Sequence, residues 1–272
     1  MVGALYIYKY REFSINNLNA LQDNKIWFSR GSNFNDPFDC SMNVPVTLTS
    51  RESIKNFIIN NPTKSSLVEM AKNDHSLLEN IVDSQFNAAK IQLEKYGIEN
   101  HELSPVFNIV SGALLRSFVC CFSKNATNPL LWSHYAGSHS GYCIRFKKEI
   151  LLKDLLPSQH GDVKYSNSPV NLMNGLYDGS NAAKDIIFSK SLPWKYEDEY
   201  RLIHSELAVN DSDNYRVCDY SDDAIDCIIL GYSAGEKNLK LLKSIFNDKK
   251  VFFKKIERGT HDYNLHVGTG RL

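Results

Sequence analysis

Between about Thr49 and Leu115 the chain changes its hydrophobic period, and this change limits the folds open to it. Apolar residues there recur at helical spacing: Ile54, Phe57 and Ile58, then Leu77, Leu78, Ile81 and Val82, then Phe86 and Ile91. Gly97 and Pro105 punctuate the block, which reads as two or three helices. On either side lie short runs rich in β-branched and aromatic residues: ALYIYKYR, KIWFSR, SFVCCFS, GYCIRFK, VKYS around Val163, a run from about Glu199 to Leu207, CIILG and KVFFKKIE. INNLNALQDN, NAAKDIIFSKS (ending near Ser191) and EKNLKLLKSIF read as short helices among these strands. The expected architecture is a single α+β domain over 1–272, with curved mixed or antiparallel sheets forming a cleft and a helical insertion at about 49–115. A strand, helix, strand unit at the C-terminal end is expected to close one side of the sheet, leaving His261, Asp262 and Tyr263 in a tail.

Bulk properties narrow the functional classes. Lysine plus arginine balances aspartate plus glutamate, 31 against 31, so no overall field draws the chain to nucleic acid or an anionic membrane. A 43% hydrophobic content with 11% aromatics is that of a folded globule. The cysteines, Cys40, Cys120, Cys121, Cys143, Cys218 and Cys227, form no CxxC pair and read as small buried hydrophobes. The first residues reach charge too early for a signal peptide, and no run approaches the roughly 18 to 20 apolar residues of a spanning helix. A reducing, cytoplasmic setting with no membrane partner is expected.

Four clusters carry groups suited to chemistry. Tyr8, Lys9, Tyr10 and Arg11 end the first strand, and the guanidinium fork fits a phosphate or carboxylate, or else simply sits solvated or ion-paired. Asn35, Asp36, Pro37, Phe38 and Asp39 form an ordered turn whose side chains cap backbone amides and position the loop. Ser123 ends a strand ahead of Trp132, His134 and Tyr135, which offer either a stacking surface for a nucleotide or nicotinamide ring, or core anchors. No G-x-S-x-G elbow accompanies the serine, and His134 and His139 lack the i, i+4 spacing of a helical zinc site. In the last cluster, Lys190 to Arg201, an extended chain would place Glu197 and Glu199 on one face, where two carboxylates can serve oxocarbenium chemistry. The plainer alternative is an acidic edge strand paired with Lys195 and Arg201.

Together, YKYR, FNDPFDC, CFS followed by LWSHYAGSHSGYCIRF, and KSLPWKYEDEYRL resemble a widespread bacterial family classified as domain of unknown function 2971, a label without chemistry. A second resemblance is to ADP-ribosyltransferases of the arginine, serine, glutamate class, which bind NAD in a cleft between two small sheets. Their order of motifs is similar to Arg11, Ser123 and the E-x-E of Glu197 and Glu199. That resemblance implies that Arg11 grips the NAD phosphates and Ser123 orients the glutamate. It also implies that Glu199 supports the oxocarbenium-like transition state and that Glu197 helps select the acceptor. Tyr10, Trp132, His134 and Tyr135 would then line the NAD site, with Asn35 and Asp36 in a supporting loop and no metal. The expected function is an NAD-consuming ADP-ribosyltransferase or NAD glycohydrolase, of the kind found in toxins and phage-defence effectors. Its partners would be NAD, an acceptor (protein, nucleic acid or water), and an antitoxin or defence partner. The alternatives are a non-catalytic module that binds a nucleotide or a protein, and a metal-dependent nuclease using Asp36, Asp39, Glu197 and Glu199.

Overall fold

A computed structural model of the protein describes residues 5–41, 51–60, 66–96, 105–170, 182–210, 212–247, 249 and 251–272. In chain order it contains β1 (Tyr6–Arg11), α1 (Ile15–Gln22), β2 (Lys25–Arg30), α2 (Arg51–Asn60), α3 (Ser66–Ala71), α4 (His75–Tyr96) and α5 (Pro105–Leu115). There follow β3 (Ser117–Ser123), α6 (Pro129–Tyr135), β4 (Tyr142–Lys147), α7 (Lys148–Leu155), β5 (Gln159–Asp162), β6 (Lys164–Ser166), α8 (Ala182–Ile187) and β7 (Ser189–Ser191). The chain closes with β8 (Glu199–Ser205), β9 (Tyr215–Asp219), β10 (Ile225–Leu230), α9 (Glu236–Ile245), β11 (Phe252–Arg258) and β12 (Leu265–Val267). Two compact units emerge: Met1–Asn33, Ser117–Val163 and Pro193–Leu272 form the first, Phe34–Arg116 and Lys164–Leu192 the second.

The first unit is built on one strongly curled, open sheet, a half-barrel. Its strands run β12-β11-β10-β4-β1-β3-β2-β9, with β8 also on β3 and β5 on β8. Every pairing is antiparallel except β10 with β11, which α9 joins as a parallel crossover. β3 is the branch point. One of its edges pairs with β8 from Ser117 to Ser123, while the other is shared: β1 takes Ser123 through Tyr8, and β2 takes Phe118 and Val119. β1 and β2 therefore splay apart, and the Lys9 ammonium donates to the Cys121 carbonyl at 2.6 Å in the gap.

Side chains alternate across the sheet, so each face builds its own core. Ile7, Phe118, Cys120, Phe122, Ile144, Phe146, Tyr200 and Leu202 lie on one face, covered by Leu21 of α1, Leu151 and Leu155 of α7, and Leu242 of α9. Tyr10, Cys143, Cys227 and Ile229 lie on the other, under Leu131 and Trp132 of α6. Local chemistry starts the helices: the Ser14 side chain accepts from Asn17 N in α1, and Asn128 accepts from Leu130 N at 2.8 Å ahead of Pro129, which opens α6.

In the second unit Ile54, Ile58, Ala71, Leu78 and Val82 close a small core between α2, α3 and α4. Among the described residues this segment holds four helices where two or three are expected; Gly97 and the side chains of Phe57 and Ile91 lie outside the described residues. The expected helix over NAAKDIIFSKS stops at Ile187, and Ser189–Ser191 instead forms β7, parallel to β6. The residues after KVFFKKIE are not a bare tail, because β12 pairs with β11. The sequence carries no expectation of α7, β5, β9 or β12. Among the described residues, no helix is long and apolar enough to cross a membrane.

Burial of the Tyr10 face sets an alkaline limit on stability. Burial pushes the Cys227 thiol up to about 11 and lifts Cys143 and the Tyr10 phenol well above their usual values. Above their ordinary values, 9 for the two thiols and 10 for the phenol, the unfolded chain releases these protons while the folded chain retains them. The stabilisation is thus complete below pH 9; the Cys227 share is lost as pH rises through about 11, and those of Cys143 and Tyr10 decline from their ordinary values upward. We expect the unfolding free energy from urea titrations to hold steady from pH 7 to 8 and then to fall, each such group approaching a slope of about 1.4 kcal/mol per pH unit once the pH passes its ordinary value. Equilibrium unfolding at half-unit steps to pH 10.5 measures this.

Candidate functional site

The site lies where β1, β3 and β8 meet. Ser123, the last residue of β3, is in register with Tyr8 on one side and Glu199 on the other, which puts all three side chains on the Tyr10 face. Ser123 Oγ donates to the Glu197 carbonyl at 2.7 Å and accepts from Asn125 N at 3.0 Å, tying the end of β3 to the start of β8. A second clasp runs beside it: Lys124 N donates to the Asp198 carbonyl at 2.9 Å, and Lys124 Nζ lies 2.8 Å from Asp162 and 3.0 Å from Asp198.

Glu197 and Glu199 do not share a face by strand alternation, as the sequence predicts. Glu197 ends a 3-10 turn (Leu192–Glu197), Asp198 takes a left-handed conformation at φ 44°, and the strand starts only at Glu199. Aspartate tolerates that conformation better than most residues, so the chain can turn at Asp198 without a glycine. Both carboxylates are nonetheless buried, Glu197 at 3% exposure and Glu199 at 4%. Glu197 Oε1 accepts from the Tyr135 hydroxyl at 2.6 Å, and Glu199 Oε2 accepts from Arg201 Nε at 2.7 Å. Arg201 has no exposed surface, so Glu199 and Arg201 form a buried pair rather than an acidic surface edge.

The aromatic residues divide into core and rim. Trp132 is fully buried, donates through Nε1 to the Ala126 carbonyl at 2.8 Å and meets Tyr10 edge-on at 5.1 Å. Tyr10 is buried too, its hydroxyl donating to the Asn125 carbonyl. These two brace the loop after Ser123, so the ring surface expected from Trp132 is spent in the core. The rim is formed by exposed His134 and half-buried Tyr135, Tyr196 and Trp194, with ring centres 6.0 to 6.4 Å apart. Asn128 Nδ2 donates to the Tyr196 carbonyl at 2.8 Å, so the residue capping α6 also fixes this rim against the 3-10 turn.

Arg11 is not on this face. It is three residues beyond Tyr8 on β1, pairs with Tyr142, and turns with Lys9 to the opposite side of the sheet. Asn35 and Asp36 belong to the second unit, where Asp36 accepts from Phe38 N at 2.9 Å and reaches Ser191 Oγ at 3.5 Å. Asp39 pairs there with Lys190 at 3.4 Å, both buried. This fits the turn-positioning role that the sequence implies. His139 acts through its backbone, accepting from Ser233 N at 3.0 Å. Among the described residues no three His, Cys, Asp or Glu side chains gather where they could hold a metal.

Sequence reasoning did not single out Asn125; it places Trp194, Tyr196 and Arg201 in the last cluster without a role in the chemistry, Arg201 only as a surface partner of the acidic strand. Arg201 follows Glu199 by two residues in a strand, and that i, i+2 spacing was the available signal for the pair. No curated protein and no solved structure matches the chain, and no match links it to ADP-ribosyltransferases. Residues 131–202, which span Trp132, Tyr135, Glu197, Glu199 and Arg201, match the model of a family described as Protein of unknown function (DUF2971), in support of the resemblance read from the motifs.

Proposed function

We propose that the first unit cleaves the N-glycosidic bond of NAD, passing ADP-ribose to water or to another acceptor. The observation that supports this most is the joining of Ser123, Glu197 and Glu199, residues 74 or more positions apart along the chain from serine to glutamates, at one strand junction beside an aromatic rim. Buried ionisable groups are costly and gather where chemistry needs them. In the proposed reaction the bond between ribose C1′ and the nicotinamide nitrogen breaks, and nicotinamide leaves with the bonding electrons. A glutamate carboxylate stabilises the oxocarbenium-like ribose, and water adds to C1′ and releases a proton. Arg201 fixes the Glu199 carboxylate, Tyr135 fixes that of Glu197, and Ser123 holds the backbone between them. The His134, Tyr135, Tyr196 and Trp194 rim supplies ring faces for the nicotinamide or the adenine.

A second reading, a module that binds a nucleotide without consuming it, is favoured by the prior engagement of Glu199 with Arg201 and by the position of Arg11 on the other face. Incubation with NAD and chromatography for nicotinamide separates the two. The informative variant is Glu197→Gln, because the amide oxygen still accepts from Tyr135 while the charge is removed. We expect release by the natural chain and a loss of about a hundredfold in the variant, within the range for removing one electrostatic or acid-base group. Binding of NAD with no nicotinamide from either protein would select the binding module. Equal release by both would remove Glu197 from the reaction.

A further inference from the structure

Among the described residues the sheet of the first unit ends on three strands, β5, β9 and β12. β5 has four residues and β12 three, while the five of β9 pair with β2 along their full length and with no strand on the other side. The hydrogen bonds that extend this ladder show which groups point outward: Tyr220 N donates to the Asn24 carbonyl at 2.9 Å, and Arg30 N to the Asn214 carbonyl at 3.1 Å. Even-numbered residues of β9 therefore bond to β2, and the N–H and C=O of Tyr215, Val217 and Asp219 turn away from it. Among the described residues the one partner of these outward groups is the Arg216 guanidinium, 3.2 Å from the Tyr215 carbonyl. One face of the edge is apolar: Trp27 is in register with Val217 and lies 6.0 Å from Tyr215, and all three side chains are exposed. Free edges are usually blunted by lysine, proline or a bulge. YRVCD has none of these, and Arg216 turns to the other face, where it donates to Glu206 at 2.8 Å and Asp213 at 3.1 Å.

We propose that β9 is the contact through which a second copy of this chain pairs, antiparallel, about a two-fold axis at Val217. A row of outward main-chain groups is satisfied together by another extended strand, and β9 suits its own copy. The axis sets Val217 against Val217 and Tyr215 against Asp219 of the second copy, so the outward N–H and C=O groups of all three residues find partners in one continuous ladder. Arg216 then lies opposite Cys218, and no like charges face each other. Trp27, Val217 and their twins form one apolar stripe across the joined sheets. A contact made by one short strand from each copy is at the small end of protein interfaces, which sets the expected dissociation constant at about 1 to 100 µM. Neither β9 nor β2 contributes to the Ser123 junction, so the pairing does not depend on the NAD reaction.

Sedimentation equilibrium of the full chain, from about 1 to about 200 µM, tests this. The average mass is expected to rise from that of the chain toward twice that value. Val217→Lys and Val217→Glu each put two like charges on the axis, and each should weaken the association at least about tenfold. Val217 is exposed, so neither change bears on folding, which far-UV circular dichroism checks. Mixed in equal amounts, the two variants should regain the dimer, because lysine then faces glutamate across the axis. Contact through any other surface would show no such rescue. The mass of one chain at every concentration, the outcome if the edge instead takes a strand of a different protein, overturns the proposal. So does undiminished association of either single variant, or a mixture that associates no better than its components.

Discussion

Replacing Arg201 with leucine is expected to destabilise the protein by about 3 to 5 kcal/mol, the range measured when one member of a buried ion pair is removed. The guanidinium has no exposed surface and its Nε donates to Glu199 at 2.7 Å. Without it, the carboxylate keeps its burial and loses that charged donor. The converse variant, Glu199→Gln, has the same difficulty from the other side, since Arg201 would keep its charge while losing the carboxylate opposite it. A drop in NAD turnover in Glu199→Gln would therefore mix chemistry with folding, and for this reason Glu197 is the better probe. The double variant Glu199→Met with Arg201→Leu separates the two effects, because replacing a buried pair by apolar residues is often close to neutral. Urea unfolding of Arg201→Leu, Glu199→Met and the double variant should show two large losses and a double-mutant value far smaller than their sum. If the single variants unfold at the natural midpoint, the pair is not a support of this junction.

The second large effect is expected at Gly231. A Cβ there would lie 2.1 Å from the His139 carbonyl oxygen and 2.7 Å from its carbonyl carbon, so the obstruction is backbone on a tightly bonded loop. That loop is held from several directions: His139 N donates to Trp132 O, Gly141 N to Ala136 O, Gly231 N to Gly141 O, and Ser233 N to His139 O. No flexible side chain can move aside, and Gly231→Ala should cost about 3 kcal/mol, the upper part of the usual range for overpacking. Gly270→Ala, where nothing lies within 4 Å of the added carbon, is the matched control and should leave the midpoint unchanged. Thermal melts of both variants measure the difference. The same loop explains why LWSHYAGSHSGYCIRF is so rich in small and polar residues. Gly137, Ser138 and His139 all take positive φ, and Gly141 passes 2.3 Å, by its missing Cβ, from the Arg11 carbonyl.

The sequence alone determined the secondary structure that local physics controls. Alternating β-branched and aromatic residues marked β1, β2, β3, β4, β8, β10 and β11, because a half-buried pleat repeats every two residues. Helical spacing marked the segment from α2 to α5, and of the cysteines Cys40, Cys120, Cys143 and Cys227 are buried, as small apolar side chains tend to be, while Cys121 and Cys218 are only half-buried. The strands of low hydrophobicity, such as QHGD in β5, gave no such signal and owe their conformation to their neighbours.

Only the tertiary structure decided which functional groups meet. Alternation fixes that Tyr8 and Arg11 lie on opposite faces of β1, yet which of those faces receives Ser123 depends on the register of β3 against β1. That register is a pairing between residues more than a hundred positions apart, and a shift of one residue would have exchanged the faces. The same non-local pairing brought Ser123 against Glu199 and left Arg11 on the opposite face of the sheet. The left-handed turn at Asp198 and the burial of Arg201 arise where β8 meets its partners on both sides, so neither is a property of the segment KYEDEYRL by itself.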